Sequence, residues 1–253
     1  KADVIKGELQ SAYEDSFKAA NPLKDIAVGA FASLRFGLLN EASPGAIIGR
    51  DGWLFTAEEL EVHQTFAANI HAAAARIVEI RDELAGKDVR LTVVVVPDKA
   101  DIYEDRLGLE RPALIRQRLA RFNGYLDLIG IDRIDAAAAL RAASAAGETF
   151  MRDDTHWSPL GARAVAEAIG RRLSGADIAR VNVETTAMAE KPFDGDLLSF
   201  VPTGPFRGYF GPAQQTIRQF DTTVETAGGL FGDAAVDIAL VGTSYSARPE
   251  WHF

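Results

Sequence analysis

The sequence predicts an α/β fold, a sandwich of helices against a mostly parallel central sheet. Segments with helical periodicity alternate with short apolar segments along most of the chain. One of these, "VVVV" at 93–96, is a β-branched run without polar alternation, which is typical of a strand buried on both faces of a parallel sheet. A chain of 253 residues is long enough for one sizeable core, so residues 1–253 are interpreted as a single domain.

The composition excludes several classes of protein and of site. The net charge is -9 and no cluster of Lys and Arg is present, so neither a nucleic acid nor an anionic membrane surface is an expected partner. Because the sequence has no cysteine, disulfides, thiolate catalysis and cysteine-based zinc sites are excluded. No apolar run reaches the roughly 18 to 20 residues that a membrane-spanning helix needs.

The first half of the chain predicts a helical segment, a hairpin and a long helix, in that order. Residues 1–40 are expected to be helical. In "SPGAIIGRDGWLF", turn residues flank short apolar runs, which predicts two strands joined by a tight turn at Arg50-Asp51-Gly52. The long helix follows and Gly86 ends it. Its apolar face, at helical spacing, consists of Ile70, Ala73, Ile77, Ile80 and Leu84.

The second half continues the alternation of strands and helices. After the strand at 93–96 come a helix, a short strand in "GIDRIDAA", and a further helix that begins after "DDTHW". The inner faces of these two helices are Leu114, Ile115, Leu119, Phe122 and Leu126, and then Ala162, Val165, Ala166 and Ile169. "AVDIALVGTSYSA" predicts a last buried strand that leads into a small-residue turn. Residues 175–230 are interpreted as an irregular excursion near the active edge, with a candidate binding segment in "KPFDGDLLSF".

Ser244 is a candidate nucleophile, because it follows the strand predicted at Ile238–Val241. Open α/β sheets bind ligands at the carboxyl ends of their strands. In "GTSYS", Gly242 permits an unusual backbone angle, and amides just after Ser244 would form one half of an oxyanion hole. The alternative interpretation is a strand end with a serine-rich turn and no chemistry.

Asp154 and His156 are the residues that such a serine needs. A serine hydroxyl becomes a nucleophile when a nearby base takes its proton, and a carboxylate on the other ring nitrogen orients that base. One residue separates Asp154 from His156, so in an extended loop both side chains can face the same side. Ser158 is a good N-cap and Pro159 suits the first turn of the helix that follows.

Two other interpretations of this acid–histidine pair remain open. A metal site would need further ligands, and the other histidines, His63, His71 and His252, form no ligand spacing with His156. A purely structural polar loop is the second. Asp153 is a candidate substitute for Asp154, although its side chain should point the other way.

Three further residues are candidates for substrate binding: Lys99, Trp157 and Tyr245. Lys99 follows "PD" at a strand end and is interpreted either as a contact for substrate charge or as a solvated lysine. For Trp157, packing is favoured over stacking against a ligand.

Taken together and in this order, "GRDGWLF", "VVVVPDK", "DDTHW" and "GTSYS" resemble the AlgJ/AlgX-type polysaccharide O-acetyltransferases, an SGNH-hydrolase-like family. The resemblance covers roughly residues 20–253 and is closer to the AlgJ-type branch, which lacks a C-terminal carbohydrate-binding module. It implies a flavodoxin-like three-layer α/β/α sandwich. It also implies a triad of Ser244 as nucleophile, His156 as base and Asp154 as orienting acid, in an order circularly permuted relative to ordinary SGNH hydrolases. The family continues beyond the serine with a helix and further sheet, so this sequence is expected to end inside the domain.

The function implied by the resemblance is acetyl transfer to an exopolysaccharide such as alginate, through an acyl-serine intermediate and without a cofactor or metal. The expected partners are the polysaccharide acceptor, an acetyl donor that is a protein or a small molecule, and other subunits of a polysaccharide acetylation and secretion complex. The expected location is the periplasm, with an inner-membrane anchor outside this chain left open. Two alternatives remain: a carbohydrate acetyl-esterase with the same triad, and a non-catalytic polysaccharide-binding subunit of a secretion complex.

Overall fold

The structure, a computed structural model, describes residues 22–176, 183–224 and 238–251. The α-helices in these ranges are α1 Pro22–Leu34, α2 Phe66–Ala85, α3 Lys99–Ile102, α4 Glu104–Leu107, α5 Ala113–Arg116, α6 Arg118–Leu128, α7 Ala136–Ala143, α8 Pro159–Arg172, α9 Arg207–Phe210 and α10 Ser244–Ala247. The strands are β1 Ala46–Ile48, β2 Leu54–Thr56, β3 Val93–Val94, β4 Arg133–Ile134, β5 Val183–Phe193 and β6 Gln215–Val224. Short 3-10 turns lie at Arg50–Gly52, Ala57–Leu60, Asp196–Phe200 and Gly204–Phe206, and a π-helical turn at Arg35–Leu39.

The α/β content is as predicted, but the described residues do not form one large parallel sheet. They form three two-stranded sheets, and only the β3–β4 pair, with Val93 opposite Arg133, is parallel. The prediction of a buried strand at Ile238–Val241 is wrong, since these residues lie outside any strand and Val241 is 93% exposed. A strand is buried only where neighbours take up its N–H and C=O groups, and no described strand pairs with this one. Residues 235–237 of the same prediction lie outside the described ranges.

The predicted hairpin at the start of the domain is confirmed. Strands β1 and β2 pair antiparallel with Ile47 opposite Phe55. The turn between them needs left-handed backbone angles, with φ 55° at Asp51 and φ 77° at Gly52. Leu54 and Phe55 are completely buried, so β2 forms part of the floor beneath the site.

The predicted helices are present with the expected signals at their ends. Helix α2 ends at Ala85 with Gly86 as its C-cap. At the start of α8, the Ser158 hydroxyl accepts the Gly161 N–H at 3.2 Å, and Pro159 occupies the first turn. Of the predicted opening helical segment, residues 22–39 are helical and residues 1–21 lie outside the described ranges. None of the helices in the described part of the chain is both long and apolar enough to cross a membrane.

The prediction of an irregular excursion over 175–230 is wrong for residues 183–193 and 215–224, whereas residues 194–214 between them have only short 3-10 turns and one four-residue helix. Strands β5 and β6 form a long antiparallel hairpin that runs from the Val183–Val224 pair to the Phe193–Gln215 pair, with a bulge near its middle. Nearly the whole of β5 is exposed, and Phe193 at its end reaches the core. Without a buried face the strand lacks the alternation of apolar and polar residues that sequence reasoning relies on.

The main core lies beneath the loop that carries Asp154 and His156. Its buried residues come from both halves of the chain: Trp53, Phe55, Ala100, Leu107, Ala136, Leu140, Phe150, Met151, Trp157, Ala162, Val165, Phe193, Ile217 and Trp251. The loop between α7 and α8 therefore has rigid packing behind it.

Candidate active site

The loop between α7 and α8 is closed at its base, which holds His156 in one place. Phe150 and Trp157 form an isolated antiparallel bridge. Inside it, the Met151 N–H donates to the His156 carbonyl at 3.2 Å. His156 thus lies just before the N-cap of α8 and is only 6% exposed.

Ser244, His156 and Asp154 form a continuous chain of hydrogen bonds. The distance from His156 Nε2 to Ser244 Oγ is 2.7 Å. On the other side of the ring, His156 Nδ1 lies 2.6 Å from Asp154 Oδ1, which also accepts the His156 backbone N–H at 2.8 Å. Asp154 is completely buried, whereas Ser244 is exposed at the start of α10, so the chain runs from the interior to solvent. The structure therefore brings together the three residues that the sequence singled out.

The environment of Asp154 keeps its carboxylate charged. Its Oδ2 accepts the Asp196 backbone N–H at 3.0 Å and lies 3.6 Å from the Arg248 guanidinium. Burial acts to raise the pKa of Asp154, but the hydrogen bonds from the His156 ring and backbone and from the Asp196 amide outweigh it and lower that pKa below its ordinary value. Asp154 is thus held as an anion that can orient and stabilise a charged His156 ring.

Asp196 is a site residue that sequence reasoning did not identify. Its carboxylate accepts the Thr155 N–H at 2.8 Å and the Thr155 hydroxyl at 2.6 Å. The preceding Gly195 allows this approach, because a Cβ atom there would lie 2.0 Å from the Asp153 carbonyl oxygen. The sequence signal that could have identified Asp196 is the glycine between two acidic residues in "KPFDGDLLSF". From the sequence, this segment was predicted only to be a candidate binding segment.

Asp154, His156 and Asp196 also have the composition of a metal site, since one ligand atom from each lies within 4.8 Å of the others. The same atoms already have partners within the cluster. His156 Nδ1 faces Asp154 Oδ1 at 2.6 Å, and Asp196 Oδ2 accepts the Thr155 hydroxyl. The arrangement is therefore that of a hydrogen-bonded network that orients the histidine.

Two aromatic rings hold the His156 ring from its sides. The Tyr245 ring lies 4.7 Å from it, and the Trp251 ring stacks on it at 5.5 Å with an angle of 23° between the planes. The Tyr245 hydroxyl donates to the Thr155 carbonyl at 2.8 Å, and burial raises the pKa of this phenol. The position of Tyr245 fits a wall of the site that ties α10 to the histidine loop. Its role in binding substrate remains a prediction.

Trp157 lies in the core and not on the surface. It is 2% exposed and packs edge-on against the Tyr245 ring at 5.0 Å. A buried ring has no face for a sugar to stack on, so the packing interpretation applies and the predicted substrate contact does not.

Both sequence interpretations of Lys99 are wrong. Its side chain is 1% exposed, so it is neither solvated nor open to a substrate. Its ammonium donates to the backbone carbonyls of Met151 at 2.8 Å, Arg152 at 3.1 Å and Asp154 at 2.8 Å. Burial lowers the pKa of Lys99 to about 8.

Asp153 points away from the histidine, as predicted. Its Oδ2 lies 3.3 Å from the Arg207 guanidinium, and its backbone N–H donates to the Gln215 side chain at 3.0 Å. Burial raises the pKa of Asp153 to about 6. Gly242 does not adopt a left-handed backbone angle, and the nearest atom to a Cβ placed there is Ser246 Oγ, at 2.1 Å, on a side chain that can rotate away.

With this geometry established, similarity to known proteins identifies the family. Residues 46–253 match the family described as SGNH hydrolase-like domain, acetyltransferase AlgX. The chain is 36% identical over 265 residues to the probable alginate O-acetylase AlgJ of Pseudomonas aeruginosa, covering 99% of this chain and 68% of that protein. It is 34% identical over 259 residues to AlgJ of Pseudomonas putida, covering 99% and 67%. It thus spans about two thirds of the length of these relatives.

Solved structures agree with this assignment. The O-acetyltransferase domain of Pseudomonas putida AlgJ is similar with a TM-score of 0.73 and 33% identity, covering 83% of this chain and 74% of that one. Pseudomonas aeruginosa AlgX, at 22% identity and a TM-score of 0.56, shares the fold over 82% of this chain and 50% of its own. The chain therefore belongs to the AlgX family of SGNH hydrolase-like acetyltransferase domains, and it is an acyltransferase.

Proposed function

We propose that this protein transfers acetyl groups to alginate through a Ser244-His156-Asp154 triad and an acetyl-serine intermediate. The observation that carries the proposal is the hydrogen-bond chain from Ser244 Oγ through both nitrogens of His156 to Asp154, with links of 2.7 and 2.6 Å. These are hydrogen-bonding distances between nucleophile, base and orienting acid. The alginate O-acetylase relatives support the choice of acceptor.

In the first half-reaction, Ser244 Oγ attacks the carbonyl carbon of an acetyl donor while His156 Nε2 takes the hydroxyl proton. The carbonyl oxygen becomes an oxyanion. When the carbon–oxygen double bond re-forms, the bond to the donor group breaks and that group takes the proton from His156. The products are acetyl-Ser244 and the protonated donor group, and Asp154 stabilises the transient imidazolium throughout.

In the second half-reaction, a sugar hydroxyl takes the place of the serine. His156 removes its proton, the sugar oxygen attacks the acetyl carbon, and the bond to Ser244 Oγ breaks. His156 then returns the proton to Ser244. The exposure of Ser244 supports this step, because a polymer chain needs an open approach to the acylated oxygen.

The Tyr245 backbone N–H is the candidate oxyanion donor. It belongs to the residue after the nucleophile, the position that supplies this donor at nucleophile turns. Its present bond to the Thr243 hydroxyl is long, at 3.5 Å, so exchanging it for a stronger bond to an oxyanion costs little.

The proposal extends to location and partners. Acceptance of an exported polysaccharide places the reaction in the periplasm, next to a source of acetyl groups and other subunits of an acetylation complex. The relative of Pseudomonas putida that is named alginate biosynthesis protein AlgX supports alginate as the polymer concerned. The three-layer sandwich also remains part of the proposal, and the likeness to the AlgJ O-acetyltransferase domain, with a TM-score of 0.73, supports a shared fold.

Acylation by 4-nitrophenyl acetate tests the mechanism. We expect a burst of nitrophenolate equal to the enzyme concentration and one acetyl group on the peptide that contains Ser244, measured by mass spectrometry. Ser244→Ala and His156→Ala should abolish both. Ser246→Ala is the matched control, since it removes the other serine of "GTSYS" and should keep the burst. A burst that survives in Ser244→Ala contradicts the mechanism.

Product analysis distinguishes transfer from hydrolysis. With an alginate oligosaccharide present, acetyl-Ser244 should decay faster and the acetyl group should appear as an ester on the sugar. Release of free acetate alone, at a rate independent of the oligosaccharide, would identify an esterase instead.

A further inference from the structure

We propose that Lys99 is the positioning residue of the triad: its buried ammonium holds the backbone of residues 151–154 in the conformation that places the Asp154 carboxylate on His156. The inference rests on the function proposed above and concerns the same site. Lys99 acts through Asp154 and touches neither the nucleophile nor the substrate.

The ammonium of Lys99 is fully used by this loop. A lysine has three donor hydrogens, and three carbonyl oxygens, of Met151, Arg152 and Asp154, lie 2.8, 3.1 and 2.8 Å from Nζ. The intervening Asp153 carbonyl accepts the Leu197 N–H at 3.1 Å. Four consecutive carbonyls are thus satisfied, three of them by one cation. Without it, three carbonyl dipoles would converge on a buried point with no donor.

The backbone that Lys99 holds is the backbone that aims the triad. The Asp154 backbone carbonyl accepts a hydrogen bond from the Lys99 ammonium, while the Asp154 carboxylate binds His156, two residues later in the same loop. If the bond between the Lys99 ammonium and the Asp154 carbonyl were lost, the Asp154 backbone could rotate. That rotation would displace the hydrogen bond between the Asp154 carboxylate and the His156 ring. The Met151 N–H bond to His156 ties the other end of the loop to the same anchor.

Lys99 is itself fixed in position. It is the first residue of α3, whose N-cap Asp98 forms a capping box with Asp101. Glu59 accepts the next backbone N–H, that of Ala100, at 2.7 Å. The position of the ammonium is therefore set by α3 and the 3-10 turn that carries Glu59.

The surroundings of the Lys99 ammonium have opposing effects on its pKa: nearby acidic groups favour the charged form, and burial disfavours it. The acidic groups that face it are Glu59, Asp153, Asp154 and Asp196. The faces of Trp53 and Phe55 lie 5.5 and 5.3 Å from Nζ. Burial acts against the charge and lowers the pKa of Lys99 to about 8, while burial raises the pKa of Glu59 to about 7. The ammonium is consequently lost within an accessible alkaline range, unlike that of an exposed lysine.

The first test is Lys99→Met, which keeps the length of the side chain and removes the charge. The rate of Ser244 acylation by 4-nitrophenyl acetate should fall by about 100-fold, as expected for a displaced catalytic group. KM should stay unchanged, since the Lys99 side chain is 1% exposed. Lys87→Met, the same change at an exposed lysine, should react like wild type. An acylation rate in folded Lys99→Met within threefold of wild type overturns the proposal.

The second test does not depend on whether Lys99→Met folds. Glu59→Gln keeps an acceptor for the Ala100 N–H but removes a negative charge beside the ammonium, so the pKa of Lys99 should fall further. The alkaline limb of the acylation rate should move to lower pH in Glu59→Gln and stay in place in Glu58→Gln, its exposed neighbour. A purely structural role would not move this limb. An alkaline limb unmoved in Glu59→Gln overturns the proposal for Lys99.

These outcomes are distinct from failure of the proposed function. If Ser244 of the wild-type protein takes no acetyl group, the triad proposal fails and the role of Lys99 falls with it. If wild-type Ser244 is acetylated and the Lys99 and Glu59 variants behave like wild type, the triad stands and only the positioning role is rejected.

Discussion

Replacement of Asp154 by asparagine should slow acylation of Ser244 by about three orders of magnitude while leaving the fold intact. In the transition state His156 carries the serine proton, and Asp154 Oδ1 lies 2.6 Å from His156 Nδ1. With charge centres about 4 Å apart and an effective dielectric constant of about 20, their attraction is about 4 kcal/mol. Loss of that attraction corresponds to a rate about 1,000-fold lower. An asparagine amide that donates toward Nδ1 would also favour the wrong tautomer of the ring.

The assay is the rate of the nitrophenolate burst with 4-nitrophenyl acetate, with acetyl-Ser244 confirmed by mass spectrometry. Asp153→Asn is the matched control, because it makes the same isosteric change in the adjacent residue. Asp153 faces Arg207 and not the histidine, so this variant should react within a few-fold of wild type. An Asp154→Asn rate within threefold of wild type refutes the orienting role, and an equal loss in Asp153→Asn refutes the assignment of Asp154.

Three further predictions concern the structure around the site. Gly195→Ala should be strongly destabilising in urea unfolding and should impair acylation, because its Cβ would lie 2.0 Å from the Asp153 carbonyl oxygen. Gly170→Ala, in α8 with nothing within 4 Å of the new Cβ, should be neutral or stabilise by about 0.5 to 1 kcal/mol; equal effects of the two changes would contradict this reasoning. Tyr245→Phe, which removes the 2.8 Å bond to the Thr155 carbonyl, should lower the free energy of unfolding by about 1 kcal/mol and slow acylation, and unchanged values of both would show that the hydroxyl does not hold α10. Burial raises the pKa of Asp153 to about 6, so its contribution to stability is complete below about pH 4 and is lost as the pH rises through about 6; Asp153→Asn should therefore gain stability relative to wild type between pH 4 and pH 7, and a constant difference over this range would contradict it.

Much of the candidate site was predictable from local sequence. Asp154 and His156 are two residues apart, and Ser158 and Pro159 mark the helix that begins after them. Local backbone geometry decides which side these residues face, so short-range reasoning could identify them. Ser244 was identified from the small-residue turn in "GTSYS" and from a buried strand predicted before it; the turn is present and the strand is not. The hairpin turn at Asp51 and Gly52 was predictable for the same reason.

The residues that support the site were not predictable in this way. Asp196 lies 42 positions from Asp154, yet its backbone N–H binds the Asp154 carboxylate. Lys99 was interpreted either as a contact for substrate charge or as a solvated strand-end lysine, and only the folded chain shows its ammonium inside the loop of residues 151–154. Trp157 was ambiguous until its burial was known. In each case the deciding contact joins segments far apart in sequence, and no periodicity records such a contact.

The sequence by itself determined the chemical identity of the candidate triad, the helix that follows His156 and the family to which the chain belongs. These depend on residue types and on spacings of a few positions, which local backbone geometry converts directly into structure. The tertiary structure alone decided that Ser244 meets His156, that Asp196 and Lys99 hold the loop between them, and that the strand predicted at Ile238–Val241 is unpaired among the described residues. Those outcomes depend on which distant groups satisfy buried carbonyls, carboxylates and strand edges, and that is settled only when the chain packs.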